Sequence, residues 1–125
     1  MFRVLNLLMA LVFALSALVQ LNDPDPVQWF LIYAAGALIC AMSAARASHG
    51  WQAPALIGLT GLVWGVWIMV HMHTGFAWGQ IAQKMKAETP AIEESRETLG
   101  LFLLATWMFV IAARRRAEQT KAARR

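Results

Sequence analysis

The chain is short of the residues that fold a water-soluble domain. Only 14% of its 125 residues are charged, against 59% that are apolar, whereas a soluble domain gives about a quarter of its length to charge. A single cysteine, Cys40, excludes an internal disulfide and a cysteine-based zinc cluster within one copy, so nothing staples the fold covalently. There is no glycine-rich phosphate loop, no Gly-x-Ser-x-Gly and no His-Glu-x-x-His, which removes the common signatures of soluble hydrolases and nucleotide enzymes. No charged side chain lies deep in an apolar run. Ion- and proton-coupled transporters need such a group near the midplane, and the small multidrug transporters of similar size carry a carboxylate in their first helix. No internal repeat or low-complexity stretch stands out.

What is present is four apolar runs, at 4–21, 27–45, 54–72 and 98–113, with the charge collected between them. At about 1.5 Å per helical residue, a run of 18 or 19 residues crosses most of a hydrocarbon core of roughly 30 Å. The sequence therefore predicts an all-α integral membrane protein, a four-helix bundle formed by residues 1–116 with a basic, fraying tail at 117–125. A signal peptide is the rival reading of the first run, since Arg3 precedes it and Ala14-Leu15-Ser16 resembles a small-residue cleavage site. The link Asn22-Asp23-Pro24-Asp25-Pro26 is too short for anything but a tight reversal, so the first two helices form a hairpin. The third helix starts at Pro54, a residue suited to a first helical position. The fourth run is short, but Thr89-Pro90 reads as a helix start, and one helix is expected from Pro90 through the membrane into the basic tail. Trp78, Ile81, Ala82 and Met85 fall on one helical face, as in a short helix lying on the membrane surface.

Orientation follows from the basic residues. With four spans, Arg3, Arg46, Arg114, Arg115, Arg116, Lys121, Arg124 and Arg125 share one side, against Lys84, Lys86 and Arg96 on the other. The positive side is the cytoplasmic one, which places both termini there in a cell membrane, the inner membrane if the source is a Gram-negative bacterium. Acidic residues fall the other way: Asp23, Asp25, Glu88, Glu93, Glu94 and Glu97 are all outside, and only Glu118 is within. The high pI thus reflects membrane orientation, and nucleic acid is not an expected partner.

The polar residues that could carry chemistry gather on the outer face. Asn22, Asp23 and Asp25 come from the first link, Glu93, Glu94, Arg96 and Glu97 from the start of the fourth helix, and His71 and His73 from the end of the third. Turn grammar explains much of the link, with Asn22 ending the first helix, Asp25 capping the second and Pro26 at its first position. It explains Asp23 least, and it leaves Gln20 one step deeper with an amide at lipid level. The acids near Pro90 suit the positive end of a helix dipole. Glu93 and Glu97 lie at i,i+4 and Glu94 and Glu97 at i,i+3, spacings that suit one divalent cation, and Asp23, Asp25, Glu94 and Glu97 are the metal candidates. Against this, Arg96 favours a forked ion pair with Asp23 or Asp25. His71 and His73 point in different directions on a helix, so water is their simplest partner. Trp29, Trp51, Trp78 and Trp107 read as an aromatic belt. Gly61 and Gly65, with Ala37, Ala41 and Ala45, are small residues at four-residue spacing that let helices approach within the bundle or between copies.

The stretch Gln20-Leu21-Asn22-Asp23-Pro24-Asp25, with Trp29 and Tyr33 at helical spacing and the later Glu93-Glu94-Ser95-Arg96-Glu97 before Gly100-Leu101, resembles the transmembrane protein 220 family of small multi-pass membrane proteins. The matching positions are Gln20, Asn22, Asp23, Pro24, Asp25, Trp29, Tyr33, Glu94, Arg96, Glu97 and Gly100. His71 and His73 match no pattern of that family. The resemblance implies a helical membrane protein and carries over no biochemical activity. The expected function is a non-enzymatic membrane component, in the lipid bilayer and with a membrane protein partner or a second copy, whose outer cluster binds a partner or a lipid. No cofactor is expected. The alternative is a metal-binding membrane protein or metal-dependent membrane enzyme, with a divalent cation on the outer carboxylates.

Overall fold

The computed structural model describes residues 1–71 and 90–125, the side chains of 90–92 excepted. Helix α1 spans Phe2–Val19, α2 Pro26–Ala44, α3 Gln52–Val70 and α4 Pro90–Ala123, with a 3-10 turn at Gln20–Asn22. All four helices are long and apolar enough to cross a membrane. The predicted surface helix around Trp78 to Met85, and His73 with it, lie outside the described residues.

The helix ends follow from local chemistry. After the 3-10 turn, the Asp23 N–H bonds the Gln20 carbonyl at 3.0 Å and Asp23 itself is extended (φ −83, ψ 158), the conformation that a following proline favours. Pro26 occupies the first turn of α2, as expected. Asp25 stands at the N-cap, yet its side chain makes no capping hydrogen bond, so the expected cap is positional only. Helix α3 begins at Gln52, two residues ahead of the expected Pro54. A proline is tolerated there because its missing N–H is among the first four, which have no intrahelical acceptor. At the far end of α2, Ala47 N–H reaches the Met42 carbonyl at 2.9 Å and Arg46 N–H the Ser43 carbonyl at 3.3 Å, a Schellman closure. The left-handed residue of that closure is Arg46, with φ 58, where glycine is usual and a side chain costs of order 1 kcal/mol.

Helix α4 has 34 residues, roughly 50 Å at helical rise, and so outruns the bilayer at both ends. Its inward stripe, Leu101, Leu104, Ala105, Met108, Ile111 and Ala112, is buried at the three- and four-residue spacing of one helical face. Facing it, α3 presents Gly58, Gly61 and Gly65. A Cβ at Gly61 would stand 3.3 Å from the Leu101 carbonyl oxygen, and one at Gly65 2.8 Å from the Phe102 ring. Close backbone approach of this kind supplies the van der Waals contact that holds helices together in lipid. The closest packing is of α1 on α2 and of α3 on α4; α2 joins the pairs by touching both α3 and α4. Leu7, Leu11, Leu15, Leu31, Leu38, Leu59 and Val63 point outward and are more than half exposed, an apolar surface that only lipid satisfies.

Three expectations are corrected or refined. Within one copy Ala41 and Ala45 are exposed, and of the alanines at four-residue spacing only Ala37 packs against the core, so for the other two only approach between copies remains of the expected packing. Trp29 is 6% exposed and stacks on Trp64 with ring centroids 4.4 Å apart, so it belongs to the bundle interior rather than to a lipid belt. The tail continues α4 past Arg116 as helix to Ala123, with Glu118 3.4 Å from Arg114 and 3.5 Å from Arg115, pairs at the spacings that support an isolated helical turn.

Candidate functional site

At the end of the bundle opposite the termini, the first link meets the start of α4. Ser95 and Thr98 are fully buried, because they continue the inward stripe of α4 one and two turns beyond Leu101. Thr98 spends its hydroxyl on the Glu94 carbonyl at 2.7 Å. Glu94, Arg96 and Glu97 flank that stripe and are therefore half-buried, while Glu93 is turned outward. Glu94, Ser95 and Arg96 are each engaged by a neighbouring group. From the link, Asp23 is half-buried, and Asn22 and Asp25 are exposed. Of the residues read from the sequence, Asp23, Glu93 and Glu94 are thus each brought within electrostatic reach of Glu97, and the exposed Asn22 and Asp25 stand at the rim.

Glu97 precedes the apolar run 98–113 and sits at the centre of this group. Burial pushes its carboxyl up from an ordinary 4.5 to about 7, helped by the negative charges of Glu93, Asp23 and Glu94. A carboxyl whose proton is held more tightly in the folded state contributes stability that is complete below about 4.5 and is lost as pH rises through about 7. Ionised Glu97 is the strained form, and a cation or a proton relieves it.

Beneath the acids lies an aromatic floor. Tyr33 is 3% exposed and stacks on Phe13 of α1 at 6.4 Å. Its hydroxyl presses on Gly100, where a Cβ would collide with it, and Glu97 lies within its electrostatic reach. With the Trp29–Trp64 stack beside it, all four helices contribute to this floor. Gln20 Oε1 is buried with no hydrogen-bond partner among the described residues, an acceptor without a donor. Also among the described residues, no group of three or more His, Cys, Asp or Glu side chains is placed to hold a metal ion. His71, which closes α3, is exposed; its Nδ1 donates to the Trp67 carbonyl at 2.7 Å and its ring stacks on Trp67, so it stands apart as an interfacial histidine.

One polar contact escaped the sequence reading. Asn6, fully buried in α1, donates to the Phe2 carbonyl at 3.1 Å and accepts from Trp107 Nε1 of α4 at 3.1 Å. The indole can only donate, which fixes the orientation of the amide. The signal available was a polar residue in an apolar run, and nothing in the spacing pointed to its partner.

The family model described as transmembrane family 220, helix, matches residues 12–113, from the middle of α1 to the end of the apolar part of α4. No solved structure matches the chain.

Proposed function

The chain belongs to transmembrane family 220, and on that footing we propose that it is a non-enzymatic membrane component whose outer-end carboxylate cluster receives a basic group of a partner protein. The observation that carries this reading is the balance of the site. Asp23, Glu93 and Glu94 each act on Glu97 as like charges, and Gln20 adds a buried acceptor without a donor among the described residues. Such a site is rich in acceptors and relieved by a positively charged donor, an ammonium or guanidinium group. Arg96, on the same helix, completes the network by pairing with Asp23 or Asp25. The excess of basic residues at the other end of the bundle supports a topology with both termini in the cytoplasm and the acidic end outward.

The reading is tested with a photo-crosslinking residue in place of Asp25, at the rim of the cluster, in intact membranes. A discrete crosslinked product is expected, and it should be lost in the Asp23→Asn/Glu97→Gln variant while the thermal unfolding temperature of the purified protein is kept. A product indifferent to both substitutions overturns the proposal. So does a stoichiometric divalent ion in protein purified in mild detergent that vanishes in Asp23→Ala and in Glu97→Ala; that result would assign the carboxylates to a metal.

A further inference from the structure

The opposite end of the bundle holds a second site, independent of the outer cluster. A cavity of about 460 Å³ opens there between α1, α2 and α4, lined by Arg3, Arg46, Arg114 and Arg115, with Phe2 and Ile111 as its apolar wall. We propose that this cleft binds the phosphate of an anionic phospholipid headgroup.

Four arginines line the cleft with one carboxylate, Glu118, and that carboxylate is already shared between Arg114 at 3.4 Å and Arg115 at 3.5 Å. Arg114 is further fixed over the Phe2 ring at 4.1 Å, and Arg115 donates to the Ala47 carbonyl at 3.1 Å. These two form a braced back wall. Among the described residues, the guanidiniums of Arg3 and Arg46 have no hydrogen-bond or ion-pair partner, so the cleft carries uncompensated positive charge with forked donors of the geometry that phosphate accepts. Arg46 is held there in a left-handed backbone conformation, in a closure where glycine would sit without strain.

Depth selects the lipid as the source of the phosphate. Arg3 immediately precedes the first apolar run, Arg46 immediately follows the second and Arg114 immediately follows the fourth. The cleft therefore opens at the level where headgroups lie, its apolar wall leading toward the acyl chains.

The test uses the full chain in mild detergent, with native mass spectrometry and thermal shift as readouts and three probes: phosphatidylglycerol, phosphatidylcholine and inorganic phosphate. Phosphatidylglycerol is expected to bind and stabilise, and phosphatidylcholine to do neither. In Arg3→Gln/Arg46→Gly the affinity for phosphatidylglycerol should fall roughly thirtyfold, taking about fivefold per basic residue near an anionic headgroup. The lipid-free variant should unfold no earlier than wild type, because glycine relieves the strained position; Lys121→Gln/Arg124→Gln, which removes two charges outside the cleft, should bind as wild type does. Equal losses in the two variants, or no preference for phosphatidylglycerol over phosphatidylcholine, overturn the proposal. Inorganic phosphate that stabilises as well as the lipid and displaces it also overturns it, and gives the cleft to a soluble phosphate.

Discussion

At the scale of single residues, the strongest constraints are polar atoms and missing side chains within an apolar bundle. Replacing Asn6 by leucine removes the amide oxygen that accepts from the half-buried Trp107 N–H and leaves it only the weak Cys40 sulfur, and a loss of about 1 kcal/mol is expected in reversible unfolding from detergent micelles. Gly100 makes a sharper case. Gly100→Ala drives a Cβ into the Tyr33 hydroxyl and should destabilise by roughly 1–3 kcal/mol. The same change in a Tyr33→Phe background should cost distinctly less, since the colliding atom has gone, and a double-mutant cycle with zero coupling would show that the two residues do not touch. The sequence made Tyr33 and Gly100 visible as motif residues but not their contact, because a glycine announces close approach without naming what approaches. Asp23 was legible for a different reason: turn grammar accounted for its neighbours and left it over. Asn6 was legible only as an oddity, its partner being 101 positions away.

At the scale of the helices, apolar run lengths and the Pro90 start predicted the elements closely, because span length and proline geometry are local properties. The packing faces were harder to read. Gly61 and Ala41 look alike in sequence, each a small residue in a four-residue series, yet Gly61 lies against the α4 backbone and Ala41 is exposed. Gly61→Leu is therefore expected to destabilise by roughly 1–3 kcal/mol or more by forcing α3 off α4, while Ala41→Leu should stay within about 0.5 kcal/mol. Comparable losses for both would mean that Ala41 is covered, for instance by a second copy. The helix was expected to enter the tail, but how far it runs depends on pairing that polarity alone does not reveal: Glu118 is reached by two arginines a helical turn before it, and Arg116 lies over the Trp51 ring at 5.2 Å.

The molecule as a whole has an acidic end and a basic one. In a Cys40→Ser background, a membrane-impermeant thiol reagent applied to intact cells should label Asp25→Cys and spare Ser48→Cys in the α2–α3 link; the reverse pattern would invert the orientation. The order of the helices was beyond the sequence, since four spans fix depth but not lateral neighbours, and so was the meeting of Asp23 with Glu97. The approach of Asp23 to Glu97 is tested by the titration of Glu97, followed by infrared or carbon NMR on protein with labelled glutamate, with Glu97→Gln to assign the signal. Glu97 is expected to titrate near 7 in the wild type and at lower pH in Asp23→Asn, with a matching loss of thermal stability in the wild type as pH rises from about 4.5 to about 7. A Glu97 that titrates in the ordinary carboxylate range and is indifferent to Asp23 would contradict that approach, and would mean that the first link and the start of α4 do not form one site.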